Sequence, residues 1–166
     1  DASPSTTLDA VRAQVSNGQV SLVDLKVVTT TSAAVTCRSQ TNLCLVRTRV
    51  DNTNTVGSVA VDATSDCKKL TMERSWARCL GGYAVGVGTS LSGAAVDFRL
   101  VNNLILQSGT ATVPFAVSLG KIANMAGVFA YNSLLDNQGT VSCANSQTLT
   151  ESVFAGECST ESDGLA

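Results

Sequence analysis

Residues 94–106 alternate between two kinds of side chain, and that period constrains the fold more than any other feature of the chain. Ala94, Val96, Phe98, Leu100, Leu104 and Leu106 fall on even positions, with Asn102 among them, while Asp97, Arg99 and Asn103 fall on odd ones. Strand side chains point alternately to opposite faces, so the pattern predicts a strand with one apolar and one polar face. Just before it, Tyr83, Val85 and Val87 share a face, with Ala84, Gly86 and Gly88 opposite, and residues 88–93 form a glycine-bounded link. Two such runs joined by a flexible link predict a β-hairpin, and glycines on one face allow its sheet to bend.

The rest of the chain suits sheet packing. Aromatic residues make up only 4% of the 166 residues, mean hydropathy is +0.20, and small or β-branched side chains of this kind pack well on pleated surfaces. The length fits a single domain, 1–166, with loose ends at 1–5 and 159–166. The chain starts at Asp1 without an initiator methionine, which suggests a secreted protein whose signal peptide has been removed. No apolar run reaches the roughly 18 residues that a membrane-spanning helix needs.

Six cysteines (Cys37, Cys44, Cys67, Cys79, Cys143 and Cys158) occur with no histidine and no C-x-x-C pair. That favours three disulfides over a metal site. A sequential scheme, Cys37–Cys44, Cys67–Cys79 and Cys143–Cys158, is the simplest of the possible pairings. All Lys and Arg lie at or before Lys121, whereas Asp136, Glu151, Glu157, Glu161 and Asp163 follow it, within a net charge of −2. A weak charge with no basic run argues against nucleic acid as a partner.

Taken in order, residues 7–18 read as a short N-terminal helix, with Leu8, Val11 and Val15 at helical spacing and Asn17-Gly18 as a stop. Residues 19–28 read as a strand whose apolar face changes midway, as at a bulge. Residues 34–37, 43–50 and 56–63 are further strands. Around Trp76 the pattern fits either a helical turn or a strand that places Trp76 beside Arg74 and Arg78. Val113, Phe115, Val117 and Leu119 alternate around Pro114, as on an edge strand. Ile122, Ala126 and Phe129 suggest a second helix over 120–135, and 140–144 a last short strand. No internal repeat is visible.

Catalytic chemistry finds little support. Without histidine the usual triads are excluded, and any general base has to be a carboxylate or lysine. Ser65-Asp-Cys-Lys68 matches S-x-x-K but lacks the companion motifs of penicillin-recognising enzymes. Asp62 and Asp66 are better read as surface carboxylates than as a glycosidase pair. The segment Asp51-Asn-Thr-Asn-Thr55 spaces its oxygens like a calcium loop but lacks the glycine and distal glutamate of an EF-hand. Gly86-Val-Gly88 lacks the third glycine and the helix of a nucleotide site. No Asn-x-Ser/Thr sequon occurs.

These readings converge on a mainly β chain: a curved antiparallel sheet or partial barrel with a short N-terminal helix, a further helix near 120–135 and three disulfides. The expected function is a secreted, non-enzymatic carrier of an apolar ligand such as a lipid. It requires no cofactor or metal and has no catalytic residues. Tyr83, Val85, Val87, Val96, Phe98 and Leu100 would line the concave face, with Tyr83 as the polar-tipped member. The alternative is an extracellular structural or adhesive protein that self-associates through β edges.

Overall fold

A computed structural model describes residues 6–8, 10–64, 66–88, 97–108, 115–119, 125–135, 139–143 and 149–153. Eighteen strands among them form three six-stranded sheets, and every pairing is parallel. The first sheet contains β1 (Thr6–Leu8), β4 (Leu25–Thr29), β7 (Arg49–Asn52), β10 (Trp76–Cys79), β13 (Leu104–Gln107) and β16 (Ser133–Leu135). The second contains β2 (Val11–Gln14), β5 (Ala33–Arg38), β8 (Val59–Ala63), β11 (Val85–Val87), β14 (Phe115–Leu119) and β17 (Gly139–Cys143). The third contains β3 (Gln19–Val23), β6 (Thr41–Val46), β9 (Cys67–Glu73), β12 (Asp97–Val101), β15 (Met125–Ala130) and β18 (Leu149–Val153). The chain visits the sheets in strict rotation, so each circuit is one coil of a β-solenoid.

This overturns the antiparallel sheet or barrel. Period-two alternation reports that a segment is a strand, but it says nothing about the direction of its neighbour. Parallel neighbours need a connection of a dozen or more residues, and here the other two strands of each coil supply it. The expected hairpin is divided among three sheets: β11 in the second, β12 in the third and β13 in the first. The long strand over 94–106 breaks at Asn102, which takes a left-handed φ of 56°. The strand over 43–50 likewise breaks at Arg47, with φ 48°. Near Pro114, β14 is no edge strand, since it pairs with both β11 and β17.

The described residues contain no helix. Leu8 lies in β1 and Val11 in β2, while Val15 stands exposed at a corner; two short strands around a bend imitate helical spacing. Ala126 and Phe129 belong to β15, and Ile122 lies outside the described residues. The phase change over 19–28 is the corner at Asp24 between β3 and β4. Trp76 belongs to a strand, β10.

A repeat exists after all, in register rather than in spacing. Val11, Val35, Val61, Val85, Val117 and Val141 occupy one column of the second sheet. Val35, Val61, Val85 and Val117 are fully buried. The step between them varies from 24 residues (Val11 to Val35) to 32 (Val85 to Val117), because the corners differ in length. No fixed period survives that variation, although repeats of 20–50 residues signal solenoids when corners are uniform.

The interior is built in such columns. In the third sheet Val20, Leu43, Leu70, Phe98 and Gly127 are in register, and beside them stand Leu22, Leu45, Met72 and Leu100. Val27, Val50, Ala77 and Ile105 face them from the first sheet, all with no exposed surface. At the corner entering the first sheet the stack turns polar. Thr48 N–H donates to Ser75 Oγ (3.1 Å), Ser75 N–H to Asn103 Oδ1 (2.9 Å) and Asn103 N–H to Asn132 Oδ1 (2.9 Å). Asn103 Nδ2 also donates to the Met72 carbonyl and Asn132 Nδ2 to that of Leu100, both at 2.8 Å. These side chains satisfy backbone groups freed where the strands bend, which a buried corner requires.

Among the described residues one disulfide, Cys37–Cys67, joins β5 to β9. It replaces the expected Cys37–Cys44 and Cys67–Cys79 bridges and leaves Cys44 and Cys79 as free thiols. The proposed Cys143–Cys158 bridge lies outside the described residues at Cys158.

Candidate functional site

Of the six residues expected to line a ligand cavity, four fill the solenoid core and one stands on its outer side. Val85 and Val87 of β11, and Phe98 and Leu100 of β12, are at most 2% exposed and belong to the solenoid core. Val96 lies outside the described residues. Tyr83 stands on the outer side of the second sheet, half-buried, its ring lying against Gly86, where a methyl group would come within 2.4 Å of Tyr83 Cε2. Burial and then the nearby Asp62 carboxylate push the Tyr83 hydroxyl's pKa up, against a smaller opposing effect of Arg38.

Asp62 is fully engaged. Its Oδ2 accepts from Arg38 Nη2 at 2.9 Å, and its Oδ1 accepts from the Thr64 amide and hydroxyl. Asp66 Oδ1 accepts from Gln40 Nε2 at 2.6 Å. Each carboxylate thus has its own partner, and the two do not form an acid–base pair. Asn52 and Asn54 cap successive turns, their Oδ1 atoms accepting from the amides of Asn54 and Val56 at 3.0 Å. No group of three or more metal-ligating side chains is placed to hold an ion among the described residues.

A different surface brings chemistry together. On the outer face of the first sheet Lys26, Arg49, Trp76 and Leu104 form one column, and Val28, Asp51, Arg78 and Leu106 the next. Neighbouring parallel strands lie about 4.8 Å apart, so each column presents side chains at that interval. Asp51, only 5% exposed, organises the centre: its Oδ2 accepts from Arg49 Nε at 2.6 Å and its Oδ1 from Trp76 Nε1 at 3.1 Å. The Arg49 guanidinium carbon sits 5.0 Å from the centre of the Trp76 ring, within cation–π range. These two contacts fix the orientation of the indole. Lys26 and Arg78 make no ion pair with described residues.

The corner between the third and first sheets extends this surface. Asp24, Arg47, Arg74, Asn102 and Tyr131 all take φ between 48° and 56°. The amides of the first four reach forward to the next coil: Asp24 N–H to the Val46 carbonyl (3.1 Å), Arg47 N–H to Glu73 (3.1 Å), Arg74 N–H to Val101 (3.2 Å) and Asn102 N–H to Ala130 (3.0 Å). Asn and Asp tolerate this conformation, whereas for Arg and Tyr it costs roughly 1–2 kcal/mol each. Arg47 grips Asp24 through Nε (2.6 Å) and Nη2 (2.7 Å); the hydrogen bonds hold the Asp24 carboxyl below its usual range and raise Arg47. On the third sheet Arg99 Nε meets Glu73 Oε1 at 2.8 Å, one row from Lys69 and Asp97. Over the outer faces of the first and third sheets and the corner between them, Lys26, Arg47, Arg49, Lys69, Arg74, Arg78 and Arg99 outnumber Asp24, Asp51, Glu73 and Asp97.

Sequence reasoning missed this face. Partners across it are 23 residues apart (Asp24 and Arg47) or 26 apart (Glu73 and Arg99), so no basic run exists to be seen. The signal available was indirect: cations confined to the first three-quarters of the chain, and Trp76 flanked by Arg74 and Arg78.

Fold and surface together define a class: a parallel β-solenoid that carries a cationic, aromatic-bearing outer face. Compared with protein-family models, curated proteins and solved structures, the chain matches none.

Proposed function

We propose that this chain is a secreted, non-enzymatic adhesive protein that holds an extended anionic polymer along the outer face of its first sheet and the adjoining corner. The observation that carries the reading is the gathering of Lys26, Arg49, Trp76 and Arg78 on one rigid surface, with Asp51 fixing Arg49 and Trp76 from beneath. Stacked coils present side chains at a regular interval, which suits a partner that itself repeats. The half-buried indole adds contact area with a polar handle. The absence of histidine from the chain and the buried Cys37–Cys67 bridge support a binding role outside the cell. An apolar carrier loses its footing, since Val85, Val87, Phe98 and Leu100 fill the core.

Binding to dextran sulfate and to neutral dextran tests the reading. The protein should be retained by the sulfated polymer alone, with affinity falling as salt screens the charges. Lys26→Glu with Arg78→Glu should weaken it about tenfold or more, equivalent to about 1.4 kcal/mol. Equal retention on neutral dextran, or indifference to both substitutions, would sink it. No helix of the described residues is long and apolar enough to cross a membrane.

A further inference from the structure

We infer that the groove at the corner between the third and first sheets is a subsite for one carboxylate-bearing sugar unit of an acidic polysaccharide, an assignment that rests on the polymer-binding reading above. The groove is lined by Glu73, Arg74, Arg99, Val101, Asn102 and Tyr131, contributed by three successive coils. Tyr131 is 86% exposed although its φ is 55°, a conformation in which a bulky side chain is a genuine outlier. Neither packing nor backbone preference accounts for an aromatic ring at that point. A flat, open ring beside hydrogen-bonding groups matches the apolar C–H face of a sugar.

The polar groups fit the rest of such a unit. The exposed Arg74 makes no ion pair with described residues, and its guanidinium is the natural bidentate partner for a carboxylate. Arg99 is steadied by Glu73 through Nε, at 2.8 Å, which leaves its other N–H groups as donors. Glu73 and the exposed Asn102 side-chain amide provide acceptors, which suit sugar hydroxyl groups and find no donor on bare phosphate. Mixed donors, acceptors and an open ring therefore favour an acidic glycan over a nucleic acid or an acidic peptide.

The test uses the full chain and four probes: an oligogalacturonate, a neutral oligosaccharide of equal length, inorganic polyphosphate and poly-L-glutamate. Wild-type protein should prefer the oligogalacturonate to each of the others. Tyr131→Ala and Arg74→Gln should each weaken oligogalacturonate binding about tenfold or more, and the charge-neutral Tyr131→Ala should leave polyphosphate binding within about twofold. Tyr131→Phe, which keeps the ring, should bind as wild type does, and unchanged thermal unfolding will show that the variants are folded. If all three polyanions bind alike and Tyr131→Ala changes nothing, the subsite is wrong and the general polyanion face stands. Stronger binding of polyphosphate or poly-L-glutamate than of the glycan also overturns the subsite. Failure of every polyanion to bind overturns both readings.

Discussion

Gly127 and Phe98 show how tightly single residues are coupled inside this solenoid. They face each other in register in β15 and β12, and a methyl group on Gly127 would stand 2.1 Å from Phe98 Cε1. The aromatic ring occupies the room that the glycine leaves, a large-to-small complement across adjacent coils. Gly127→Ala should therefore cost about 1–3 kcal/mol through overpacking, and Phe98→Ala about 3–5 kcal/mol through the cavity it opens. In the double variant the methyl group finds space, so the two costs should not add. Urea unfolding of the four proteins measures this, and simple additivity would show that the ring does not rely on the missing side chain. Asn103 makes the same point in polar form, since three of its hydrogen bonds run to backbone or side-chain groups of neighbouring coils.

Between elements, the strongest local tie is the Cys37–Cys67 bridge, which links the end of β5 to the start of β9 across one corner. Closing a loop with a sequence separation of 30 is worth about 3–4 kcal/mol on the chain-entropy view. Cys37→Ala with Cys67→Ala should lower stability by about that amount, and non-reducing peptide mapping should recover this pair. Cys44 lies half-buried on the outer face of β6, whereas Cys79 is buried. Burial, and next the Glu73 carboxylate, push the Cys44 thiol's pKa up, against a smaller effect of Lys69. Alkylation of folded protein should therefore label Cys44 slowly, and faster as pH rises, while Cys79 reacts only after unfolding. Recovery of a Cys37–Cys44 or Cys67–Cys79 peptide would contradict the pairing.

For the whole molecule, a solenoid converts position in sequence into position along an axis, because each coil touches mainly the coils before and after it. The charge asymmetry of the chain thus becomes axial: the paired and unpaired cations gather over the middle coils, and the carboxylates after Lys121 belong to the last part of the chain. Stability should be graded along the same axis, since β1, β2 and β3 have a single neighbour in each sheet among the described residues, whereas β7, β8 and β9 have one on either side. Amide hydrogen exchange should be slowest in β7, β8 and β9 and fastest in β1 and β2. Uniform protection across all coils would mean that the structure opens only as a whole.

Much of the strand content was legible in the sequence, and the arrangement was not. Alternation located β12 through Phe98 and Leu100, with Asp97 and Arg99 outward, and β5 near residues 34–37, because the two-residue period of a strand is a local property. Direction, neighbours and corners are not local. A left-handed residue such as Asn102 or Arg47 bends the chain without interrupting the alternation enough to be seen, so two strands read as one. Likewise Leu8 and Val11 read as a helix because a corner happened to preserve helical spacing. The sequence by itself determined that the chain is mainly β, with a core of small and β-branched residues and a sparse charge. Only the tertiary structure decided that Val85 and Phe98 fill a core while Lys26, Arg49, Trp76 and Arg78 share a surface. The physical reason is that parallel pairing brings together residues more than twenty positions apart, at intervals set by corners of unequal length.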